Sequence, residues 1–141
     1  MLSSARGVME KKLKHLEFIQ ASITRLAGNT FILKGWCITL IAALFALSAK
    51  DSDKIYALLA YYPVIIFWIL DGYFLAVERR FRALYDRVRT VTEEEIDFSM
   101  DTRDFADEYC NTWAGAALSR TLIVYYGALA FLMLLVLLII L

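Results

Sequence analysis

The chain is poor in the residues that build catalytic and metal centres. Its 141 residues include one histidine (His15), one proline (Pro63) and two cysteines (Cys37 and Cys110). Without a CxxC pair or a Cys/His cluster, neither a zinc site nor a disulfide framework is expected. There is no Ser/His/Asp constellation, no HExxH and no Gly-rich phosphate loop, so the expectation is a protein that is not an enzyme and uses no metal or cofactor. Net charge is also missing. Fifteen Lys and Arg balance fifteen Asp and Glu, which argues against a nucleic-acid-binding module recognisable by its overall charge. Global disorder is excluded, because the chain is too apolar. The N-terminal stretch MLSSARGVMEKKLKHLEF has no apolar run after its charges and no cleavage site, so it does not read as a signal peptide.

Apolar sequence is what the chain has in excess. Hydrophobic residues make up 60% of it, against roughly 45–50% in a typical soluble domain, and the mean hydropathy is +0.58. Three apolar spans stand out, at residues 31–49, 55–77 and 121–141, the last without a charged side chain. At ~1.5 Å per residue each is long enough to cross a hydrocarbon layer of ~30 Å. Residues 50–54 leave room only for a tight connection, which predicts an antiparallel helical hairpin from the first two spans. The fold expected is therefore all-α, an integral membrane protein with three transmembrane helices.

Charge sets the expected orientation. Twelve of the fifteen basic residues lie before span one or between spans two and three, and Lys34 lies near the same end of span one; only Lys50 and Lys54 lie in the short loop. Basic residues collect on the cytoplasmic side, so the expected location is a bacterial inner membrane with a cytoplasmic N-terminus and a periplasmic C-terminus. Residues 1–30 then form a cytoplasmic amphipathic helix, with Met9, Leu13, Leu16, Ile19, Ile23 and Leu26 on one stripe. Gly28-Asn29 is expected to mark a bend before the hairpin of residues 31–77. Residues 78–120 hold a basic helix, an acidic segment and an interfacial helix. The third span follows at 121–141.

The hairpin predicts its own register, with residue i facing roughly residue 104 − i across the two helices. Ile23 then meets Phe81, Ile19 meets Tyr85 and Leu16 meets Val88, while Arg25 falls near Glu78 and Lys34 near Asp71. Lys34 and Asp71 are either a structural salt bridge near the inner surface or part of an ion path or gate. Pro63 predicts a kink in span two, another feature used in gates and also common in ordinary membrane helices. Arg79, Arg80, Arg82, Arg87 and Arg89 are candidates for binding lipid phosphate or an anionic nucleotide or oligonucleotide signal. Beyond them, Thr90–Glu108 carries eight carboxylates against Arg103. Glu93, Glu94, Glu95 and Asp97 either form a solvated linker or latch onto the arginines. Thr92 and Glu95 suggest a capping box. A second helix from about Asp101 would place Phe105, Tyr109 and Trp113 on one face along the headgroups. His15, on a charged face, is expected to be solvated.

An amphipathic N-terminal helix, a tight two-span hairpin and a basic continuation (ERRFRALYDRVR) together resemble the SLATT family of small bacterial membrane effectors. The resemblance is one of organisation and covers residues 9–90; the acidic segment and third span extend beyond it. It implies an oligomeric pore that opens on a cytoplasmic signal and depolarises the membrane, in anti-phage or nucleotide-signalling systems. The function expected is thus an oligomeric inner-membrane ion channel or pore-forming effector gated from the cytoplasm. The alternative is a non-conducting accessory subunit that anchors or regulates a cytoplasmic partner protein. Expected partners are membrane lipids, further copies of the chain, and such a protein or anionic signal.

The charge asymmetry generates a direct test. Tags at the two termini should lie on opposite sides of the membrane by protease protection; both termini in the cytoplasm would contradict three spans.

Overall fold

The computed structural model describes residues 2–51 and 54–140. Among them the chain is all-helical, without a strand. Helix α1 runs Leu2–Asp51, α2 Lys54–Leu59, α3 Tyr61–Thr90, α4 Trp113–Ala117 and α5 Arg120–Ile140, with single 3-10 turns at Glu93–Glu95, Arg103–Phe105 and Tyr109–Asn111. The connection between the first two spans includes Ser52 and Asp53, which lie outside the described residues. Three helical stretches are long and apolar enough to cross a membrane: Arg6–Lys50, Ile55–Thr90 and Arg120–Ile139.

α1 is continuous over 50 residues, about 75 Å of helix. The helix is not interrupted at Gly28-Asn29, where a bend was expected. A lone glycine inside a helix costs only about 1 kcal/mol, which the flanking helix formers and the contacts with α3 offset. Near Pro63 the second span is interrupted at Ala60, between α2 and α3. Pro63 has no N–H to give the carbonyl of Leu59, so the ladder breaks at Ala60 and Pro63 occupies the first turn of α3, where helix N–H groups lack intrahelical partners anyway.

Two apolar clusters join the helices. One gathers Ile19, Ile23, Leu84 and Val88, with Leu16, Phe81, Tyr85, Ile96 and Phe105 packed around it. The residues expected to face one another from α1 and α3 all fall in this cluster. The other unites Cys37 and Ile41 of α1 with Ala60, Val64 and three residues of α5, Leu122, Tyr126 and Met133. The remaining apolar surface is mostly uncovered. No more than 22% of any of the three apolar windows is buried inside the chain, and Phe31, Trp36, Tyr62, Phe131 and Ile139 are all more than half exposed.

The segment expected to form a second helix from Asp101 is broken instead. Asp97 Oδ1 accepts from the N–H of Ser99, Ser99 Oγ from that of Asp101, and Asp101 Oδ1 from that of Arg103, at 3.0–3.1 Å. Short polar side chains thus take the N–H groups a helix would need. Phe105 and Tyr109 sit in separate 3-10 turns and Trp113 begins α4, so they do not share a helical face. The capping box at Thr92 also fails to form: its hydroxyl bonds the carboxylate of Glu95 at 2.9 Å and no side chain caps the turn.

Two glycines permit close packing around short helix α4, Gly72 of α3 against Ala117 and Gly115 of α4 against the turn at Tyr109. A Cβ on Gly72 would stand 2.9 Å from Cβ of Ala117, and one on Gly115 would stand 1.9 Å from the carbonyl oxygen of Tyr109. Gly127 in α5 has nothing within 4 Å. Gly115→Ala should therefore destabilise by about 3 kcal/mol, since backbone must move, whereas Gly127→Ala should be near neutral. Thermal unfolding in detergent checks the contrast; equal effects would contradict this packing.

Candidate functional site

The most unusual chemistry lies where α1, α3 and α5 meet. Asp71 is fully buried. Lys34 Nζ, on α1, donates to Asp71 Oδ2 in a close ion pair. The hydroxyl of Tyr126, on α5, donates to the same oxygen at 3.1 Å. Each of the three residues stands three to six positions from the charged end of its apolar span, about 5–9 Å along the helix. Tyr125 completes the surroundings: its hydroxyl donates to the carbonyl of Lys34 at 3.4 Å, and its ring lies 5.4 Å from Lys34 Nζ. Trp68 stacks on Tyr126 at 6.4 Å and donates its indole N–H to the carbonyl of Ala117 at 2.8 Å.

This arrangement ties one anion to all three apolar helices. A charged side chain at the bilayer centre costs about 2.5–3.5 kcal/mol on insertion scales, and pairing with hydrogen bonding reduces that cost. Only one of the two oxygens is satisfied, because Asp71 Oδ1 is buried with no hydrogen-bond partner among the described residues. An acceptor left over in an apolar surrounding is a functional signal. Among the polar residues of span one, Cys37 and Ser48 are buried, and Thr39 donates to the carbonyl of Gly35 in its own helix at 2.9 Å.

The arginine run beyond Asp71 is divided between two roles. Arg79 donates to the carbonyl of Cys110 at 2.7 Å and Arg80 to that of Asn111 at 3.1 Å. These two clamp the turn at Tyr109–Asn111, whose last carbonyls have no partner in so short a helix. Arg82 pairs with Glu78 at 2.7 Å, Arg89 with Asp86 at 3.2 Å and Arg87 with Asp104 at 3.3 Å. Glu78 pairs with Arg82, one turn along the same helix, and among the described residues no ion pair joins it to Arg25. The expected latch also changes. Among the described residues, no arginine of the run pairs with Glu94, Glu95 or Asp97, and the side chain of Glu93 lies outside the described residues. Arg87–Asp104 is the ion pair that links the two segments, and it is exposed, so it is worth roughly 0–1 kcal/mol at most.

The acidic segment is fixed on α1 as well. Lys12 Nζ donates to the carbonyl of Val91 at 2.8 Å. His15 is buried rather than solvated, edge-on to Phe98 at 5.6 Å. Phe98 adopts φ 55°, a left-handed conformation that costs a non-glycine residue about 1–2 kcal/mol. Beside it, the side chain and backbone N–H of Arg103 hydrogen-bond Asp101 and hold its carboxyl down to about 2. That carboxylate stays ionised, and able to cap the turn, until the pH falls toward 2. Among the described residues no three His, Cys, Asp or Glu side chains are grouped to hold a metal ion.

Two site features escape the sequence reading. Tyr126 becomes visible only once α5 is placed against Asp71, although adjacent tyrosines in a charge-free span are a signal. The use of Arg79 and Arg80 on main-chain carbonyls leaves no sequence signature. No family model matches the chain, and neither a curated protein nor a solved structure does.

The contact yields a double-mutant prediction. Lys34→Ala and Asp71→Ala should each destabilise by about 3 kcal/mol, because each strands a buried charge. The double variant should fall short of the summed cost by about 1–3 kcal/mol. Additive losses in unfolding from detergent or bilayer would show that the two do not interact.

Proposed function

We propose that the chain is a three-span protein of a bacterial inner membrane, with its N-terminus cytoplasmic and its C-terminus periplasmic. Spans one and two form an antiparallel hairpin whose helices extend into the cytoplasm. In this membrane the protein acts as an oligomeric ion-conducting effector gated from the cytoplasmic side, and its place is anti-phage defence, as the SLATT resemblance implies. The reading rests chiefly on Asp71, a buried carboxylate with one partnerless oxygen, held by Lys34 and Tyr126 among the three apolar helices.

Size supports assembly. A 16.2 kDa chain with three spans closes on its own side chains and leaves no room for an aqueous path, so conduction needs several copies. The largely uncovered apolar windows supply surface for contact between copies as well as for lipid. Continuity supports gating. α1 and α3 carry Lys34 and Asp71 and also reach the cytoplasmic charges, so a ligand that moves one helix against the other strains the ion pair. Arg82, Arg87 and Arg89 pair only with exposed or local carboxylates, which an anionic nucleotide or protein can displace. Such a ligand opens the path only if it binds the open arrangement better than the closed one.

One observation favours the alternative of a non-conducting accessory subunit. The exposed faces of the spans are apolar, from Phe31, Ile32 and Trp36 on α1 to Phe131, Leu132 and Leu138 on α5. Such faces suit lipid or a partner's helices better than an ion path.

A paired replacement separates the readings. Lys34→Met with Asp71→Leu removes the ion pair without stranding a charge. The double variant should insert, form crosslinked assemblies larger than a dimer, and collapse the membrane potential without a trigger, as read by a potential-sensitive dye in cells and in liposomes. An inserted double variant that stays monomeric, or that assembles and holds the potential, would overturn the channel reading in favour of the accessory subunit.

A further inference from the structure

Two apolar cavities of about 270 and 250 Å³ lie end to end on the outside of the helix set. The first is bounded by α3 and α4 and reaches Leu118; the second is bounded by α3 and α5 and reaches Ala130. Ile65 and Trp68 line both, so the two form one groove. Along α5 the stretch from Arg120 to Ala130 rises about 15 Å at ~1.5 Å per residue, close to the ~15 Å hydrocarbon depth of one leaflet.

On the α5 side the groove is lined by Tyr126 and by the stripe of Ile123, Gly127 and Ala130. Arg120 precedes the latter three at the same helical spacing, so all four share one stripe. Arg120 is exposed, and its guanidinium makes no ion pair or hydrogen bond among the described residues, unlike the five arginines of the basic run. Helical side chains point back toward the N-terminus, so this guanidinium is directed to the charged end of the span, next to the apolar lining of the cavities and not part of it. Gly127 keeps the deeper half open, because nothing lies within 4 Å of the position its Cβ would take.

We infer that this groove is a binding site for an anionic phospholipid of the cytoplasmic leaflet, with its phosphate on Arg120 and one acyl chain along Leu118, Trp68, Ile123 and Gly127. The inference rests on the three-span reading and adds a specific occupant to it. Charge complementarity selects the headgroup: a free cation beside the groove meets an anion that the inner leaflet supplies. Shape selects the tail. The groove matches a leaflet in length, whereas a second copy's helix, ~10–12 Å across with its side chains, would not enter cavities of this volume. The lipid covers apolar surface that no other part of the described chain covers, and it lies against Trp68, the ring that stacks on Tyr126 and backs the ion pair.

Brominated acyl chains quench tryptophan on contact, and Trp68 and Trp113 both line the groove. The full chain carrying Trp36→Phe, in phosphatidylcholine bilayers, reports these two rings alone. Brominated phosphatidylglycerol should quench them at about fivefold lower mole fraction than brominated phosphatidylcholine, the preference that one interfacial arginine gives. Arg120→Gln should abolish that preference, and Gly127→Leu, which fills the groove without a clash, should weaken quenching by both lipids. A companion variant with Trp68→Phe and Trp113→Phe keeps only Trp36, on the exposed face of α1, and should be quenched equally by both lipids. Loss of quenching in the companion would overturn the spanning reading itself. Quenching there, with no headgroup preference at Trp68 and Trp113, would overturn the lipid site alone. Shielding of these two rings from both lipids would overturn it in favour of a protein neighbour.

Discussion

The arrangement of the apolar helices turns on one carboxylate. Asp71 is buried where three apolar helices meet, and an isolated charge there is too costly to leave alone. Lys34 supplies the countercharge from α1 and Tyr126 a hydroxyl from α5. Each partner comes from a different helix, so satisfying Asp71 fixes the relative height and rotation of all three. Apolar contacts such as Cys37, Ile41, Val64, Leu122 and Met133 then pack around an already specified alignment. Apolar contacts alone are poor at setting register between membrane helices, because lipid tails compete for the same surfaces; polar contacts with a single satisfying geometry do it better.

A second constraint acts just beyond the apolar region. The chain must return from the end of α3 to the start of α5, and it does so through a compact platform of short turns on the side of α3. Arg79 and Arg80 hold carbonyls of that platform, Trp113 donates to the carbonyl of Ile69 at 3.1 Å, and Gly72 and Gly115 let the backbones approach. Through these contacts the position of α5, and hence of Tyr126, depends on residues that lie outside the apolar spans. Mechanical coupling between the charged region and Asp71 is therefore built into the connection as well as into the long helices.

The helical class and the stripe of Leu16, Ile19 and Ile23 were legible in the sequence, because 3.6-residue periodicity and long apolar runs depend on local pattern alone. The meeting of Lys34 with Asp71 was legible for a related reason: a short connection fixes the register of two continuous helices, so one turn position places every pair. The reading failed where local bonding competes with that geometry. Among the described residues Glu78 pairs with Arg82, one turn away on the same helix, and not with Arg25. The acidic segment lost its expected helix because Asp97, Ser99 and Asp101 bond nearby N–H groups, a competition that hydrophobic periodicity does not register. His15, alone among lysines, read as solvated, and only the fold of Phe98 over it buries the ring. Tyr126 depends on a platform with no periodic signature.

The central claim is that the buried Asp71 carboxylate is held by Lys34 and Tyr126 where the three apolar helices meet. Solid-state NMR of the full chain in lipid bilayers, with 15N at the lysine side chains and 13C at the aspartate carboxyls, measures it directly. The account predicts a Lys–Asp dipolar contact that Lys34→Met removes, a carboxylate shift typical of the charged form for Asp71, and protection of that site from bulk water. A neutral or water-exposed Asp71 carboxyl with no nearby lysine nitrogen would contradict it.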